Sequence, residues 1–431
     1  MIHEKQAKGL SIILLFFSPL IGLFSGLKYL SWDNKKVLIV LFFIIYGSLM
    51  QYGEEADAAV YMEMLDLYEG MSLSTFLLWL KHIIELNPLP DSPNDVYVHF
   101  LSFIISSILG VKFLFFPVVA AIYGYFYANA LSKILVWDKN KKIAISVVFI
   151  IILFIIHRSV TSFQTVRTWT GMWVMFNGVL GYAQTKQRKY IILILAAPLI
   201  HFAYFVIALP VVLSLFAKRI PTIFMSVLYF SSFFITLSGS ITEKLAGESS
   251  LADKKIHSYY RQNQYGEAID PIMERMKTDN SVWYTRYGKT DAVYYGGHAF
   301  ALFIILGGFF RSKMTSAEAA VFTAGLLLAT FANFASFSYA FYSRTMGNAV
   351  IYILAAACMM AIRGGYDYSK LNPRLINLFK WVCILIFVPK IVYFVADFLI
   401  RTSIFVLGLP FVGWFADSLN VSIREFIGQF L

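Results

Sequence analysis

Charge is scarce in this sequence. Only 14% of its 431 residues are Asp, Glu, Lys or Arg, whereas a water-soluble domain usually carries about 25%. Hydrophobic residues make up 59% of the chain, and apolar runs recur along its length that approach the roughly 20 residues needed to cross a bilayer. A fold that lies wholly in water is therefore excluded, and we predict an all-α polytopic membrane protein.

Cysteine and cofactor-binding motifs are scarce as well. The two cysteines, Cys358 and Cys383, both lie in apolar runs, which argues against a disulfide framework, a zinc site or a redox pair. The sequence has no Walker A loop, no dinucleotide fingerprint and no HExxH motif, so we expect neither a metal nor a cofactor. The net charge of +11 comes from basic residues in short loops, which indicates membrane topology rather than a nucleic-acid partner.

The apolar segments predict about 12–14 transmembrane helices. The first segment is interpreted as a retained span, because it is long and lacks a small-x-small cleavage site. Within another segment, Pro198 and Pro210 are expected to break the chain into half-helices. The segments are 9–30, 37–50, 97–110, 113–135, 143–157, 165–184, 190–216, 221–238, 298–310, 316–337, 345–362, 375–398 and 402–416.

Two polar insertions interrupt what is otherwise a single membrane domain, 1–431. Segment 51–95 holds nine acids against Lys81 alone, and segment 239–297 is rich in tyrosine. Basic loops such as Lys186–Lys189 are expected on the cytoplasmic side, which places both insertions outside. We predict an acidic external loop with an amphipathic helix for 51–95 and an aromatic-rich, sugar-binding loop for 239–297, although its tyrosines also fit an interfacial belt.

Two arginines are candidate binding residues because each stands where an inward-running span begins. Arg167 lies beside Trp169, and Arg344 follows Tyr342. An arginine near a helix N-terminus can bind a phosphate or carboxylate through its two-pronged guanidinium and the free backbone amides. The alternative is that each arginine reaches to lipid headgroups.

Further candidates are a histidine and an acidic pair. His201 lies about eleven residues into an apolar run, where it is either a core histidine or a proton acceptor. Asp57 and Tyr61 are four residues apart and share one helical face, unless that helix merely lies on the membrane surface. We interpret His157 and Arg158, which close a preceding span, as an ordinary interfacial pair.

The order of these features resembles the EpsG-like branch of the Wzy polysaccharide polymerases, which are similar to GT-C glycosyltransferases. That branch has an early Gly-Asp-Tyr motif, an arginine opening a mid-chain span, a basic loop, a histidine in the next span and a late arginine. The matching residues are Gly53, Asp57, Tyr61, Arg167, Lys186–Lys189, His201 and Arg344.

The resemblance covers about residues 50–360 and has departures. Arg167 and Gly178 match an Arg-x10-Gly element of other Wzy proteins. Gly53, however, lies two residues further from Asp57 than in the family pattern. Ala355 stands where a second Arg-x10-Gly element, starting at Arg344, would have its glycine.

The resemblance implies transfer of a growing glycan from its polyprenyl diphosphate to an incoming lipid-linked repeat unit, in O-antigen or exopolysaccharide synthesis. Arg167 and Arg344 would stabilise the leaving diphosphate, and His201 or Asp57 would be the base, with His201 preferred. Substrate contacts are expected from both arginines and from four further side chains: Tyr61, Tyr339, Tyr342 and His298.

The resemblance also implies a setting. The active site would face the outside of a bacterial inner membrane, and the partners would be lipid-linked oligosaccharides, the bilayer and a chain-length regulator. Two alternatives stay open. A lipid-linked oligosaccharide flippase shares the predicted span number and the cationic interior. An O-antigen ligase would place catalysis near His257 and His298, which bracket the 239–297 loop.

Overall fold

The computed structural model describes residues 4–52, 57–136, 145–216, 220–235, 261–262, 268–269, 283, 287–336, 338–364 and 373–430. Most of the 239–297 insertion, including His257, and Gly53 of the acidic motif lie outside these residues. The described chain is all-α apart from one short antiparallel pair, Arg261–Gln262 with Ala268–Ile269.

The helices are numbered in chain order. They are α1 (Glu4–Phe17), α2 (Pro19–Tyr29), α3 (Trp32–Ser48), α4 (Asp57–Asp66), α5 (Leu73–Ile84), α6 (Val96–Ser102), α7 (Phe115–Ile134), α8 (Ile145–His157), α9 (Thr168–Thr185), α10 (Lys189–Ile200), α11 (Tyr204–Phe216), α12 (Thr222–Ser231), α13 (Ala292–Leu306), α14 (Ser316–Phe334), α15 (Tyr339–Arg363), α16 (Pro373–Arg401), α17 (Pro410–Phe415) and α18 (Ile423–Gly428). Two π-helical segments, Phe103–Ile108 and Tyr287–Asp291, and four 3₁₀ turns, Lys112–Leu114, Val160–Thr165, Ile404–Val406 and Asp417–Leu419, complete the described secondary structure.

Five of the described helices are long and apolar enough to cross a membrane, as expected of a multi-pass membrane protein. They are Lys112–Ile134, Val147–Thr165, Ser316–Phe334, Tyr339–Arg363 and Ile376–Arg401. The other apolar helices are shorter. Two of them, α10 and α11, are separated by a break in the helical backbone. Segment 190–216 forms α10 and α11, with Pro198 and Pro210 inside the helices and the break at His201.

Two helices form the core of the bundle. Every residue of α9 from Trp169 to Gly181 is buried, and so is every residue of α15 from Thr345 to Cys358. A helix that is apolar on all sides is buried on all sides, and both helices are surrounded by others: α7, α8, α13 and α14 pack against one or both of them.

One long helix lies at the periphery. In the 18-residue apolar stretch of α16, only 17% is buried inside the protein, whereas 83% of the corresponding stretch of α15 is buried. Leu378, Trp381 and Leu385 on α16 are exposed in the isolated chain, and an apolar helix surface of this kind is satisfied by lipid rather than by water. The outer face of α16 therefore faces the bilayer.

The first apolar segment differs from the prediction of one span over 9–30. It forms α1 and α2, which break at Ser18, and Pro19 opens the second helix. Proline lacks a backbone N–H and favours the first turn of a helix, so the chain reverses here instead of continuing. The two helices pack against each other and against α3.

Close helix packing generates a testable prediction at Gly47 in α3. A Cβ atom there would lie 2.8 Å from the Phe116 carbonyl oxygen and 2.8 Å from the Ala120 Cβ of α7. We expect Gly47→Ala to lower the free energy of unfolding by about 1–3 kcal/mol, measured by SDS titration in mixed micelles.

Gly9 in α1 provides the matched control, because nothing lies within 4 Å of a Cβ built there. Gly9→Ala should be neutral, or stabilising by about 0.5–1 kcal/mol through lower chain entropy. Equal unfolding midpoints for the two variants would contradict the close approach of α3 and α7.

Candidate functional site

A buried carboxylate joins three distant segments of the chain. Asp95 immediately precedes α6 and is only 2% exposed. One carboxylate oxygen is ion-paired with the Arg167 guanidinium. The other oxygen accepts a hydrogen bond of 2.6 Å from the Phe202 backbone N–H and lies 3.4 Å from His201 Nδ1. Asp95 therefore fixes the start of α6, the start of α9 and the α10–α11 break relative to one another.

Arg167 is held in place by a strained turn. The 3₁₀ turn Val160–Thr165 ends at Val166, whose φ is +49°. A β-branched residue rarely adopts this conformation, and such strain concentrates at functional sites. The turn places Arg167 at the N-cap position of α9, as the sequence predicts, with its side chain directed to Asp95.

His201 occupies the break between α10 and α11 in an extended conformation, φ −150° and ψ 123°. It is 6% exposed. With the Nδ1–H donated to Asp95, the Nε2 atom carries the lone pair, and no described residue hydrogen-bonds to it. A carboxylate that fixes the imidazole tautomer in this way leaves Nε2 to act as a base, as in hydrolase triads.

Tyr61, Asp57 and Arg344 interact electrostatically with members of this group. Tyr61 on α4 is 8% exposed and packs its ring against Phe115. The charges of Arg167, Asp57, Asp95 and Arg344 all act on the Tyr61 hydroxyl. The predicted charges Arg167, Asp57 and Arg344 therefore lie within electrostatic range of the buried Tyr61 hydroxyl.

The ion pair shifts the pKa values of its members. Burial alone would raise the pKa of the Asp95 carboxyl, but its hydrogen bond to His201 and the Arg167 charge hold that pKa well below its usual range. Burial lowers the pKa of Arg167, and the Asp95 charge more than reverses this. Burial also raises the pKa of Tyr61 to about 12. The pair is therefore fully ionised at neutral pH, and Tyr61 is neutral.

Arg344 sits differently from the prediction. Helix α15 begins at Tyr339, so Arg344 is in its second turn rather than at its start. The free amides of a helix N-terminus are confined to the first turn and are not beside Arg344. Its charge nevertheless reaches both Tyr61 and His201, so the arginine contributes through its side chain alone.

The aromatic candidates are divided between two places. Tyr339 and Tyr342, half-buried at the start of α15, lie near each other, and the Tyr342 ring packs edge-on against Tyr294, 5.4 Å between centroids. His298 on α13 instead shares a hydrogen bond of 2.7 Å with the Tyr229 hydroxyl and packs against Phe233. The contacts described for His298 do not bring it to Asp95.

A polar cavity of about 320 Å³ adjoins this group. The residues lining it come from α4, the end of α8 and the two residues after it, the Val160–Thr165 turn, the start of α9, the π-helical segment Tyr287–Asp291, and α16. They are Asp57, Ala58, Ile156, His157, Arg158, Ser159, Thr161, Ser162, Gln164, Thr165, Trp169, Lys289, Lys390, Tyr393, Phe394, Asp397 and Arg401.

His157 and Arg158 do not form the interfacial pair that the sequence favours. His157 is 2% exposed and its Nε2 lies 3.0 Å from the Gly347 carbonyl oxygen. The Arg158 guanidinium stacks 3.5 Å above the centroid of the Trp169 ring. Both residues belong to the wall of the cavity.

The structure adds functional candidates that the sequence did not single out. Asp95 was one of nine acids in segment 51–95 and stands directly before an apolar run, and a charged residue beside a span is a candidate for a functional role. Lys390 lies inside the apolar segment 375–398, where an ionisable residue is costly and usually functional.

Within the described part of the chain, no three His, Cys, Asp or Glu side chains gather to hold a metal ion.

Because the pKa of Asp95 is lower in the folded protein than in the unfolded chain, the carboxylate stabilises the fold above the unfolded value, about 3.9. This stability is lost as the pH falls toward the folded value. We expect Asp95→Asn to lower the unfolding temperature at pH 7 by about 4 °C or more. The variant should also lose less stability than the wild type between about pH 4 and pH 2.

The measurement is tryptophan-fluorescence melting in detergent, and Asp33→Asn is the control. Asp33 is exposed and pairs only with Lys36 in the same helix, 2.8 Å away, a contact worth at most about 1 kcal/mol. An Asp95→Asn protein that melts like the control at both pH values would show that the buried pair does not stabilise the fold.

The chain matches no protein-family model, no curated protein and no solved structure. Its function is therefore inferred from the chemistry of these residues together with the sequence resemblance.

Proposed function

We propose that this protein is a membrane glycosyltransferase that polymerises polyprenyl-diphosphate-linked oligosaccharide repeat units. An acceptor hydroxyl oxygen forms a bond to the anomeric carbon of the growing glycan. The bond from that carbon to the diphosphate oxygen breaks, and its electron pair stays on the diphosphate. The hydroxyl proton passes to the protein, so the products are a longer lipid-linked glycan and free polyprenyl diphosphate.

The observation that carries this proposal is the Asp95–His201 pair beside the two arginines. Nε2 of His201 is buried and receives no hydrogen bond from any described residue, which suits it to accept the acceptor's proton. Arg167 and Arg344 both lie within electrostatic range of this histidine, where fixed positive charge stabilises the charge that grows on a leaving diphosphate.

His201 fits the role of base better than Asp57, the other candidate. Asp57 is exposed at the start of α4 and lines the polar cavity, so water competes for its carboxylate. His201 is enclosed and oriented by Asp95. Asp57 then acts by its charge on Tyr61 and Arg167. Contacts to sugar or diphosphate are proposed for Tyr61, Tyr339 and Tyr342.

The proposed setting follows the sequence resemblance. It comprises a GT-C-like arrangement of about 12–14 spans, two external insertions, and a site that faces the outside of a bacterial inner membrane. Arg167 and Arg344 lie near the helix ends opposite the basic segments that follow α9 and α15, which supports a site on the outer side. The substrates reach it from the bilayer, and a chain-length regulator is a proposed partner.

The direct test is a reaction with purified protein in nanodiscs, given a lipid-linked repeat unit and no nucleotide sugar. A ladder of longer lipid-linked products is expected. If the substrate crosses a sealed liposome without being extended, the protein is a flippase. If transfer requires a lipid A–core acceptor, it is a ligase.

Variants at the site give a sharper prediction. Arg167→Ala and Arg344→Ala should abolish polymer, and His201→Asn should slow polymerisation by about 10²–10⁴-fold, measured as initial rates on the same substrate. Arg424→Ala, an exposed arginine of α18, is the matched control and should polymerise normally.

His298→Ala separates the polymerase from the ligase. Because His298 contacts Tyr229 and Phe233 rather than the Asp95 group, its loss should leave activity largely intact in a polymerase. Activity that survives His201→Asn but not His298→Ala would overturn the assignment of His201 as the base.

A further inference from the structure

The polar cavity contains cations that the proposed transfer step does not use. Four basic and two acidic side chains line it, an excess of two positive charges. They are Arg158, Lys289, Lys390, Arg401, Asp57 and Asp397. Arg401 is already engaged by Asp397, 2.7 Å away, and by Gln164. Among the described lining residues, only the Asp57 carboxylate is then left to balance the other three cations.

Lys390 is the deepest of these cations and the most unusual. It lies inside the apolar α16, is 4% exposed, and its ammonium sits 5.0 Å from the centroid of the Tyr393 ring. It makes no hydrogen bond or ion pair with the described residues. A basic residue inside an apolar span that has no acidic partner among the described residues is costly and indicates a ligand or transport role.

Arg158 is likewise incompletely satisfied. Its guanidinium lies flat on Trp169, and no described residue accepts a hydrogen bond from its buried Nε. Gly347 leaves room for this stack, since a Cβ there would lie 2.8 Å from Arg158 Nη2 and 2.9 Å from the Trp169 ring. The stacked arginine is thus preorganised for a planar, two-pronged contact with an anion.

The cavity runs along one face of α16, a helix that is long and apolar enough to cross a membrane. Its lining residues on that helix lie at positions i, i+3, i+4, i+7 and i+11, which share one helical face: Lys390, Tyr393, Phe394, Asp397 and Arg401. At 1.5 Å per residue, Lys390 and Arg401 are roughly 16 Å apart along the helix axis. Because the opposite face of α16 meets lipid, a lipid whose headgroup occupies the cavity can keep its tail in the bilayer.

We propose that this cavity binds the diphosphate group of a polyprenyl-linked substrate, with Arg158, Lys289 and Lys390 as its cationic contacts. This rests on the proposed function, in which two lipid diphosphates, donor and acceptor, are bound at once. Arg167 and Arg344 serve one diphosphate, and the cavity serves the second. Asp57, which lines the cavity and acts on Arg167, marks the boundary between the two sites.

The test is binding of undecaprenyl diphosphate to purified protein in nanodiscs, with stoichiometry read by native mass spectrometry. The wild type should bind two copies and Lys390→Met one. Lys133→Met is the control, since the Lys133 ammonium likewise lies near a tyrosine ring, 4.8 Å from its centroid, but Lys133 stands at the end of α7 and outside the cavity. It should bind two copies, and two copies on Lys390→Met would overturn the proposal.

A second variant tests the cavity in case Lys390→Met loses lipid binding only because it does not fold. Lys289 is exposed at the cavity edge, so Lys289→Ala should fold normally and weaken the second binding event about tenfold. Inorganic diphosphate should displace the lipid from the Lys390-dependent site. If it binds there while undecaprenyl diphosphate does not, the cavity takes a free anion and the lipid assignment is wrong.

The experiments distinguish failure of the cavity proposal from failure of the polymerase proposal. Lys390-dependent binding by a protein that forms no ladder from lipid-linked repeat units would support the cavity and reject the polymerase. A ladder formed by a protein whose lipid binding is unaffected by both Lys390→Met and Lys289→Ala would support the polymerase and reject the cavity.

Discussion

The burial of the Asp95 carboxylate constrains the surrounding structure. Removing a carboxylate from water costs several kcal/mol unless charge and hydrogen bonds replace its solvation. Here Arg167, His201 and the Phe202 amide together provide that replacement. Arg167 comes from the start of α9, and His201 and Phe202 come from the α10–α11 break. Together with the start of α6, which follows Asp95, these segments are stabilised only when all three are assembled. The same contacts that lower the cost of burial orient the imidazole and the guanidinium.

The need to satisfy the buried Asp95 carboxylate accounts for the break between α10 and α11 and for the turn before α9. The α10–α11 break leaves the Phe202 backbone N–H free to donate a hydrogen bond to the Asp95 carboxylate. The turn that ends at the strained Val166 directs Arg167 to the same carboxylate. Irregular backbone at membrane depth is tolerated where it is buried in protein or lines a polar cavity. The α10–α11 break and the turn that ends at Val166 both lie where the charged side chains meet. Hydrogen bonds to those side chains can satisfy the backbone groups that a regular helix would otherwise pair.

Sequence patterns predicted the parts of the structure that depend on local composition. The apolar run 316–337 corresponds to Ser316–Phe334, and 113–135 to Lys112–Ile134. They also located Arg167 at the start of its helix, because a charge beside an apolar run is visible in one dimension. The Asp95 contacts join residues 72 and 106 positions apart, and no periodicity encodes such pairs. The stack of Arg158 on Trp169 was missed for a related reason, since it depends on the absence of a side chain at the distant Gly347.

The two charged regions are mechanically connected through a few shared residues. Trp169 lies two residues after Arg167 and also supports Arg158, while α15 carries both Arg344 and the Gly347 that accommodates the stack. The turn Val160–Thr165 connects Arg158 to Arg167 along the chain, so the cavity and the Asp95 group share one segment of backbone. The proposed reaction needs two lipid-linked glycans to be held before the glycosidic bond breaks. Under that proposal, the shared turn would let an anion bound in the cavity influence the position of Arg167.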